Sequence, residues 1–416
     1  MKILFLAKFY QPFDRGGSEW STRDLAYLLT GNGHSVTVVT PNYGAKSKDT
    51  IDKIKIIRIP FPIKLSSPKS SIAPFWTNNL IWFIYSGLFC IYIILKNNYQ
   101  IIHIQNNEFI PAGVIAAKIL RKKVIVTFRD YQIICNLGFC LWKNDKSCSW
   151  KKYLSSDFPY FYENYVDHKN VFKKCLLLIA VLRARLIQNI IFMFAKQINN
   201  KIAVSKKVKY IFDKNGMPNL KVINNAVIIN NKLSSTYSNK IVFVGKLSKG
   251  KGVDMFVQTL SELTSKITDV SFEIIGSGHL KEKLKEYLRS NDLLSKVKFV
   301  GQLSHKDVLD EVSKAAIVVA PSIWPEPLPR SVIETILSGT PVVATNVGGI
   351  KEILKDKVYG LLSKPNKLSL TNNLCEAYNN KEKFRGNIKK DINKLRNHFT
   401  KHTLKLYEKI YVEALN

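Results

Sequence analysis

Short runs of β-branched and aromatic side chains recur along the chain, each followed by a longer segment whose apolar residues return every three or four positions. In the first half, residues 1–7, 36–40, 54–59, 101–104, 124–128, 201–204 and 221–223 read as buried strands. The first run leads through a loop, 10–17, into a helix from about Ser18. Trp20, Leu25, Leu28 and Leu29 form its inward face, and Gly31–Gly33 end it. Strands this continuously apolar, alternating with helices, predict an α/β fold with parallel sheets covered on both faces. The Asn- and Ser-rich stretch 224–239 reads as a linker, after which strands resume at 241–244, 271–275, 297–300, 317–320 and 342–343. A last helical pattern lies near 400–416. At 416 residues the chain exceeds one ordinary core. The expected domains are 1–227 with the helix 400–416, a linker 228–239, and 240–399.

The densest chemistry lies between Pro325 and Gly349. Glu326 stands in the turn Pro325-Glu326-Pro327, expected to be an exposed loop, and Glu334 follows on the periodic segment 332–337. One acid on the loop and one on the first turns of the helix both fall near that helix's N-terminus. Its unpaired N–H groups and partial positive charge attract anions. Two glutamates at this spacing would ordinarily be a loop residue and a solvated helix residue. Here, however, a buried run, 316–320, precedes the turn, Pro341–Thr345 reads as the next strand, and Gly348-Gly349 reads as the start of a further helix carrying Glu352. That order places the acids and the glycine pair at the strands' carboxyl ends, where parallel sheets bind ligands. Hydroxyls for the acids and phosphates for the helix end describe a nucleotide-sugar.

Pro321-Ser322, Glu326-Pro327, Glu334, Gly339-Thr340-Pro341-Val342-Val343-Ala344-Thr345 and Gly348-Gly349-Ile350-Lys351-Glu352 together resemble the glycosyltransferases of family 4. That retaining group has the GT-B fold, two Rossmann-like domains with parallel sheets facing across a cleft. The resemblance implies that Glu334 accepts from ribose hydroxyls and that Glu326 contacts the transferred sugar. Backbone N–H groups of Leu328, Arg330, Gly348 and Gly349 would meet phosphate or sugar. Pro329 stands where the family usually has glycine, which removes one N–H.

Gly245-Lys246 with Lys249-Gly250-Lys251-Gly252 resembles the family's Gly-Arg-x-x-x-x-Lys-Gly segment, Lys246 replacing the arginine and Lys251 matching the lysine. Fixed cations there would stabilise the departing diphosphate, Lys246 less rigidly than a bidentate arginine. The alternative for lysines in so basic a chain is plain surface charge. Gly16 and Gly17, in Asp14-Arg15-Gly16-Gly17-Ser18-Glu19, resemble the N-terminal glycine loop that lets backbone approach a phosphate or sugar. Gly276 and Gly278 resemble a donor-side turn, and a tight strand-to-helix connection would explain them equally. The last helix resembles the crossover that returns to the first domain.

The first domain departs from the family at Thr127-Phe128-Arg129-Asp130, where many relatives carry a histidine near the acceptor. Arg129 cannot serve as a base at neutral pH. It is expected to hold an acceptor phosphate or the donor, with Asp130 orienting it or meeting an acceptor hydroxyl; the alternative is a surface Arg–Asp pair. His103, also on the acceptor side, is expected to be structural rather than catalytic.

Charge adds a partner. The net charge is +32, and residues 1–225 carry 33 Lys+Arg against 12 Asp+Glu. Codon bias accounts for a high total better than for this asymmetry, which suggests an anionic partner. Nucleic acid is not expected, because no finger, helix-turn-helix or aromatic-basic strand motif is present. Residues 70–95 hold no charged side chain, yet strands on both sides belong to one sheet, so a membrane crossing is rejected. Residues 171–196 join Leu176–Leu182 and Ile190–Phe194 to Lys173, Lys174, Arg183, Arg185 and Lys196. Such a helix suits either a headgroup layer or a core with snorkelling ends. Met1 opens directly into a strand, so no export signal is expected and the six cysteines are expected to be reduced. Cys135, Cys140 and Cys148 share one loop and are candidate metal ligands, although their spacing matches no common zinc pattern.

These readings converge on a retaining glycosyltransferase of hexosyltransferase type. It would use a nucleotide-diphospho-sugar, with lysines in place of a metal and no cofactor. The expected acceptor is a lipid-linked or surface glycan of cell-envelope polysaccharide or glycolipid synthesis. The expected place is cytoplasmic, peripheral at the inner face of an anionic membrane. The alternatives are a nucleotide-sugar epimerase of GT-B form and a noncatalytic membrane or nucleic-acid binding protein.

Overall fold

The computed structural model describes residues 1–416 except 68, 69, 71, 138–147 and 166–170. The chain forms two compact units, Met1–Ala226 together with Thr400–Asn416, and Val227–Phe399. The first unit contains β1 (Lys2–Leu6), β2 (Ser35–Pro41), β3 (Lys48–Ile51), β4 (Ile54–Ile59), β5 (Ile101–Ile104), β6 (Lys123–Phe128), β7 (Asn200–Ala203) and β8 (Lys221–Val222). They form one sheet in the order β3-β4-β2-β1-β5-β6-β7-β8, parallel except for β3 against β4. The second unit contains β9 (Lys240–Val244), β10 (Ser271–Ile275), β11 (Val297–Gly301), β12 (Ile317–Ala320), β13 (Val342–Thr345) and β14 (Gly360–Ser363). This sheet is all parallel, in the order β11-β10-β9-β12-β13-β14.

Central strands are buried on both faces, which is why their sequences are apolar without interruption. One face of the first sheet presents Ile3, Phe5, Val36, Val38, Ile101 and Ile125. They pack against Leu25 and Leu29 of the Gly17–Gly31 helix and against Tyr407, Ile410 and Tyr411 of the final helix, Thr403–Leu415. In the second unit Ile241, Phe243, Ile274, Ile317 and Val343 pack on Phe256 and Leu260 of the Val253–Lys266 helix and on Leu370 and Leu374 of the Lys367–Asn379 helix. Two strands escaped the sequence pattern. Lys-Asp-Thr-Ile in β3 is a polar edge strand, and Gly-Leu-Leu-Ser in β14 is a short edge strand opened by glycine.

The Leu80–Asn97 helix starts at Asn79, whose side chain accepts from the Trp82 N–H, and ends at Asn98 in the left-handed region (φ 48°). Trp82, Phe83, Cys90 and Ile94 are buried, while Ile81 is 82% exposed and Ile84, Leu88 and Leu95 are exposed with it. The helix joins β4 to β5 within one sheet and packs on the Ile110–Ile119 helix. The Val171–Lys196 helix packs on the same neighbour and exposes Leu176, Ile179, Leu186 and Met193. By length and composition, Leu80–Asn97 and Lys174–Lys196 each suffice to cross a membrane. Arg185 departs from the expected basic face: it turns inward and is buried, whereas Lys174, Arg183 and Lys196 are exposed.

His103, placed above on the acceptor side, lies in the core instead. It is fully buried, with Nδ1 2.8 Å from the Tyr411 hydroxyl and Nε2 2.8 Å from Thr127 Oγ1. Burial, and then the charge of Arg129, push its pKa well below the usual value, so the ring is neutral. Fully enclosed, it fastens the final helix to the sheet and cannot touch an acceptor. Tyr411→Phe should therefore leave Nδ1 unpaired and destabilise the first unit by about 1–2 kcal/mol. Urea unfolding measures this, and an unchanged midpoint would show that the bond contributes nothing.

Candidate functional site

In the second unit the chain leaves β9 at Gly245-Lys246, buries Leu247, makes one 3-10 turn over Lys249–Lys251 and enters the Val253–Lys266 helix through Gly252. Gly252 has φ 65°, and a Cβ there would lie 1.8 Å from the Pro321 carbonyl oxygen. Only glycine allows this contact with the end of β12. The Ile323 and Trp324 N–H groups then donate to the Gly250 carbonyl at 3.0 and 3.1 Å. The joined loops bring Lys251 Nζ to 2.6 Å from Glu326 Oε1, and Ser322 Oγ donates to the same oxygen at 2.7 Å.

Glu326 is not the exposed loop residue its sequence suggested, because its side chain is only 6% exposed. The reason lies at Gly348, whose φ is 60° and whose missing Cβ would stand 2.1 Å from the Glu326 carbonyl oxygen. The turn after β13 thus lies flat on Glu326. The Gly349 N–H donates to that carbonyl at 2.7 Å. It is an internal donor, not one aimed at phosphate. The expected helix after Gly349 is a single 3-10 turn, Ile350–Glu352. Ile350 and Leu354 enter the core, and the chain then reverses at Lys357 (φ 60°) toward β14.

Glu334 lies one turn into the Arg330–Leu337 helix, which begins after Pro329 at φ −70°, an angle proline adopts without strain. Its Oε1 accepts from Arg330 Nε at 2.6 Å and lies 2.7 Å from His305 Nε2. Burial alone would raise its pKa; the charge of Arg330 and the His305 bond outweigh burial and hold it below the ordinary value. Leu328, two residues past Glu326, is buried. Lys246 is exposed and faces His279, whose pKa is lowered by burial and then by Lys246. Gly276 and Gly278 bring the ends of β9 and β10 together, since Cβ atoms there would lie 1.9 Å from Gly245 O and 2.2 Å from Leu247 O. The tight-connection reading of these glycines therefore holds.

In the first unit, Gly16 caps the Gly17–Gly31 helix in an extended conformation, and a Cβ there would touch only Glu19 Oε2 at 3.5 Å. Backbone strain does not demand this glycine. Arg129 Nε donates to Asn225 Oδ1 at 3.0 Å and Nη1 to the Gln105 carbonyl at 3.4 Å. Asp130 Oδ1 accepts from Asn107 Nδ2 at 3.0 Å and from the Gln132 N–H at 2.9 Å. The neighbouring residues are thus held by different partners. Loss of surrounding water raises the Asp130 pKa. Beside it, Lys8 Nζ pairs with Glu108 Oε1 at 2.5 Å.

A family model described as Glycosyltransferase Family 4 matches residues 15–230, over half of the chain, and one described as Glycosyl transferases group 1 matches 225–394. The chain belongs to glycosyltransferase family 4. An uncharacterized glycosyltransferase of Methanocaldococcus jannaschii is 32% identical over 46% of this chain and 53% of that protein, about half its length. An uncharacterized protein from the cps region of Klebsiella pneumoniae is 28% identical over 85% of this chain and 87% of its own. The Anabaena protein HepE, solved in complex with UDP-glucose, superposes with a TM-score of 0.66 at 17% identity over 99% of this chain and 98% of its own. The glycosyltransferase thus has the GT-B fold of two Rossmann-like domains.

Sequence reasoning missed several residues of this glycosyltransferase. Lys8, Asn107 and Glu108 follow β1 and β5 by two to four residues, so position beyond a strand's carboxyl end was the available signal. His305 reaches Glu334 from another helix, 29 residues earlier in the chain, and no local pattern announces it. The Glu334 ion pair stabilises the fold above the ordinary carboxylate range and is lost as pH falls through the depressed pKa. Glu334→Gln should lose about 3 kcal/mol at neutral pH and decline less on acidification. Denaturant titrations from neutral to acid pH test this, and equal acid sensitivity of both proteins would rule the pair out.

Proposed function

We propose that this glycosyltransferase transfers a hexose, with retention of configuration, from a nucleotide-diphospho-sugar to a lipid-linked or surface-glycan acceptor. The observation that carries the reading is the Lys251–Glu326 pair, a half-exposed ammonium 2.6 Å from a buried carboxylate at the strands' carboxyl ends. A diphosphate brings negative charge that competes for Lys251, freeing Glu326 to accept from a sugar hydroxyl. Lys251, and Lys246 at the end of β9, would offset the charge that grows on the leaving diphosphate. In this mechanism the acceptor oxygen bonds to the anomeric carbon as the bond to the phosphate oxygen breaks, and that oxygen takes the acceptor proton. No protein base and no metal is required. Glu334 would meet the ribose, with Arg330 and His305 fixing its orientation. HepE was solved with UDP-glucose, which supports a donor of that class here.

For the acceptor, two features favour a lipid carrier. A cavity of about 380 Å³ in the first unit is lined by Phe75, Ile133, Val181, Ile187 and Ile191, with Asn107 and Glu108 at its border. Asn107 also holds Asp130, so apolar chain and polar headgroup would find adjacent partners, with Arg129 and Asp130 on the headgroup side. The relative from the cps region supports a role in envelope polysaccharide synthesis. The Leu80–Asn97 and Val171–Lys196 helices expose apolar stripes beside Lys96, Lys174, Arg183 and Lys196. They would rest on the inner face of an anionic membrane without crossing it, since β4 and β5 on either side of the first, and β6 and β7 on either side of the second, share one sheet.

Nucleotide release from a panel of nucleotide-sugars tests the transfer. Lys251→Ala should lower turnover about 100-fold, and Glu326→Gln should abolish it while the fold persists. Release that needs no added glycan or lipid acceptor would favour an epimerase, and unchanged turnover in both variants would end the proposal. The protein should also sediment with phosphatidylglycerol vesicles at low salt, less so as salt rises. Replacing Ile84 and Leu88 together by Asp should abolish sedimentation; equal sedimentation with neutral vesicles at all salt concentrations would contradict an electrostatic surface.

A further inference from the structure

A second cluster of ligating side chains lies in the first unit. Cys135 and Asp157 are buried and Cys148 is partly so, and one ligand atom from each lies within 4.8 Å of the others. Cys135 Sγ is 2.9 Å from Asp157 Oδ2. Cys140, considered above with these cysteines, lies outside the described residues. We propose that Cys135, Cys148 and Asp157 hold a zinc ion whose fourth position is taken by water, separate from the transfer chemistry.

The geometry supports this in three ways. Zinc bonds thiolate at about 2.3 Å and carboxylate at about 2.1 Å, so tetrahedral ligand atoms stand roughly 3.5–3.8 Å apart. The observed separations, from the 2.9 Å thiol–carboxylate hydrogen bond up to a limit of 4.8 Å, bracket that spacing, so an ion would part Cys135 from Asp157 by about 0.7 Å. Second, the backbone around both cysteines is already fixed from outside the cluster. Arg185 Nη1 donates to the Ile134 carbonyl at 2.8 Å, Nη2 donates to the Cys148 carbonyl at 3.2 Å, and Asn215 Oδ1 accepts from the Cys148 N–H at 3.0 Å. One buried guanidinium thus ties together two carbonyls fourteen residues apart in sequence. Third, Asp157 closes a π-helical turn, Tyr153–Asp157, a local irregularity that re-aims a side chain and is frequent at functional sites.

Charge also favours an ion. Zinc would make both thiols thiolates, releasing their protons to solvent. Two thiolates, one carboxylate, the dication and Arg185 leave the site neutral. The soft sulfur pair selects zinc over magnesium or calcium. The ion would clamp the segment that begins at Asp130, five residues before Cys135, and so stabilise the proposed acceptor side.

Cobalt(II), titrated alone into chelator-treated, reduced full-length protein, reports on the site directly. One equivalent should produce a thiolate-to-cobalt charge-transfer band and tetrahedral ligand-field bands, both displaced by zinc. Cys135→Ser and Cys148→Ser should each abolish the charge-transfer band, Asp157→Asn should weaken binding at least tenfold, and Cys375→Ser in the other unit should change nothing. If the cysteine variants do not fold, the wild type still decides: zinc should raise its melting temperature and chelator should lower it. No charge-transfer band, or a Cys135–Cys148 disulfide that forms in preference to metal binding, would overturn the proposal.

Discussion

Two backbone contacts that only glycine permits set the place of Glu326. Gly252 lets the loop after β9 touch the Pro321 carbonyl, and Gly348 lets the turn after β13 lie on Glu326 itself. Between them the carboxylate is shut away from most solvent and left with Lys251 and Ser322 as partners. A buried carboxylate with few partners responds strongly to any new charge, because little water screens it. Any side chain at either glycine would separate the loops, and the pair of opposite charges with them. The proposed transfer therefore depends first on the absence of two methyl groups and only then on the acids and lysines.

Much of the fold was readable because parallel strands buried on both sides leave an uninterrupted apolar signature. Ile-Leu-Phe-Leu in β1 and Ile-Val-Val-Ala in β12 are of this kind. Edge strands lack that signature: β3 carries Lys48 and Asp49, and its pairing depends on the neighbouring β4. The acids and lysines of the second unit were legible because their spacing is local. Their surroundings were not. The burial of Glu326 depends on Gly348, 22 residues away, and the setting of Glu334 depends on His305. Arg185 shows the same limit, since helical periodicity placed it on the correct helix but could not say that it turns inward.

The first unit combines two kinds of surface. Strand ends carry Lys8, Asn107, Glu108 and Asp130 in a polar network, while the helices that pack on Ile110–Ile119 present bare aliphatic side chains outward. The cavity beside Asn107 adjoins both kinds of chemistry. An amphipathic acceptor of the kind proposed would have the same division within one molecule.

The final helix has a consequence for synthesis. Tyr407, Ile410 and Tyr411 complete the hydrophobic core of a unit whose other residues end at Ala226. A ribosome must therefore make the entire intervening unit before the first can close. Until then the nascent chain exposes Ile3, Phe5, Val38 and His103 where the last helix will sit. The second unit is continuous in sequence and can fold during translation, whereas the first cannot close its core until residues 403–415 have been made. In the living cell, the half of the enzyme made first is the half finished last.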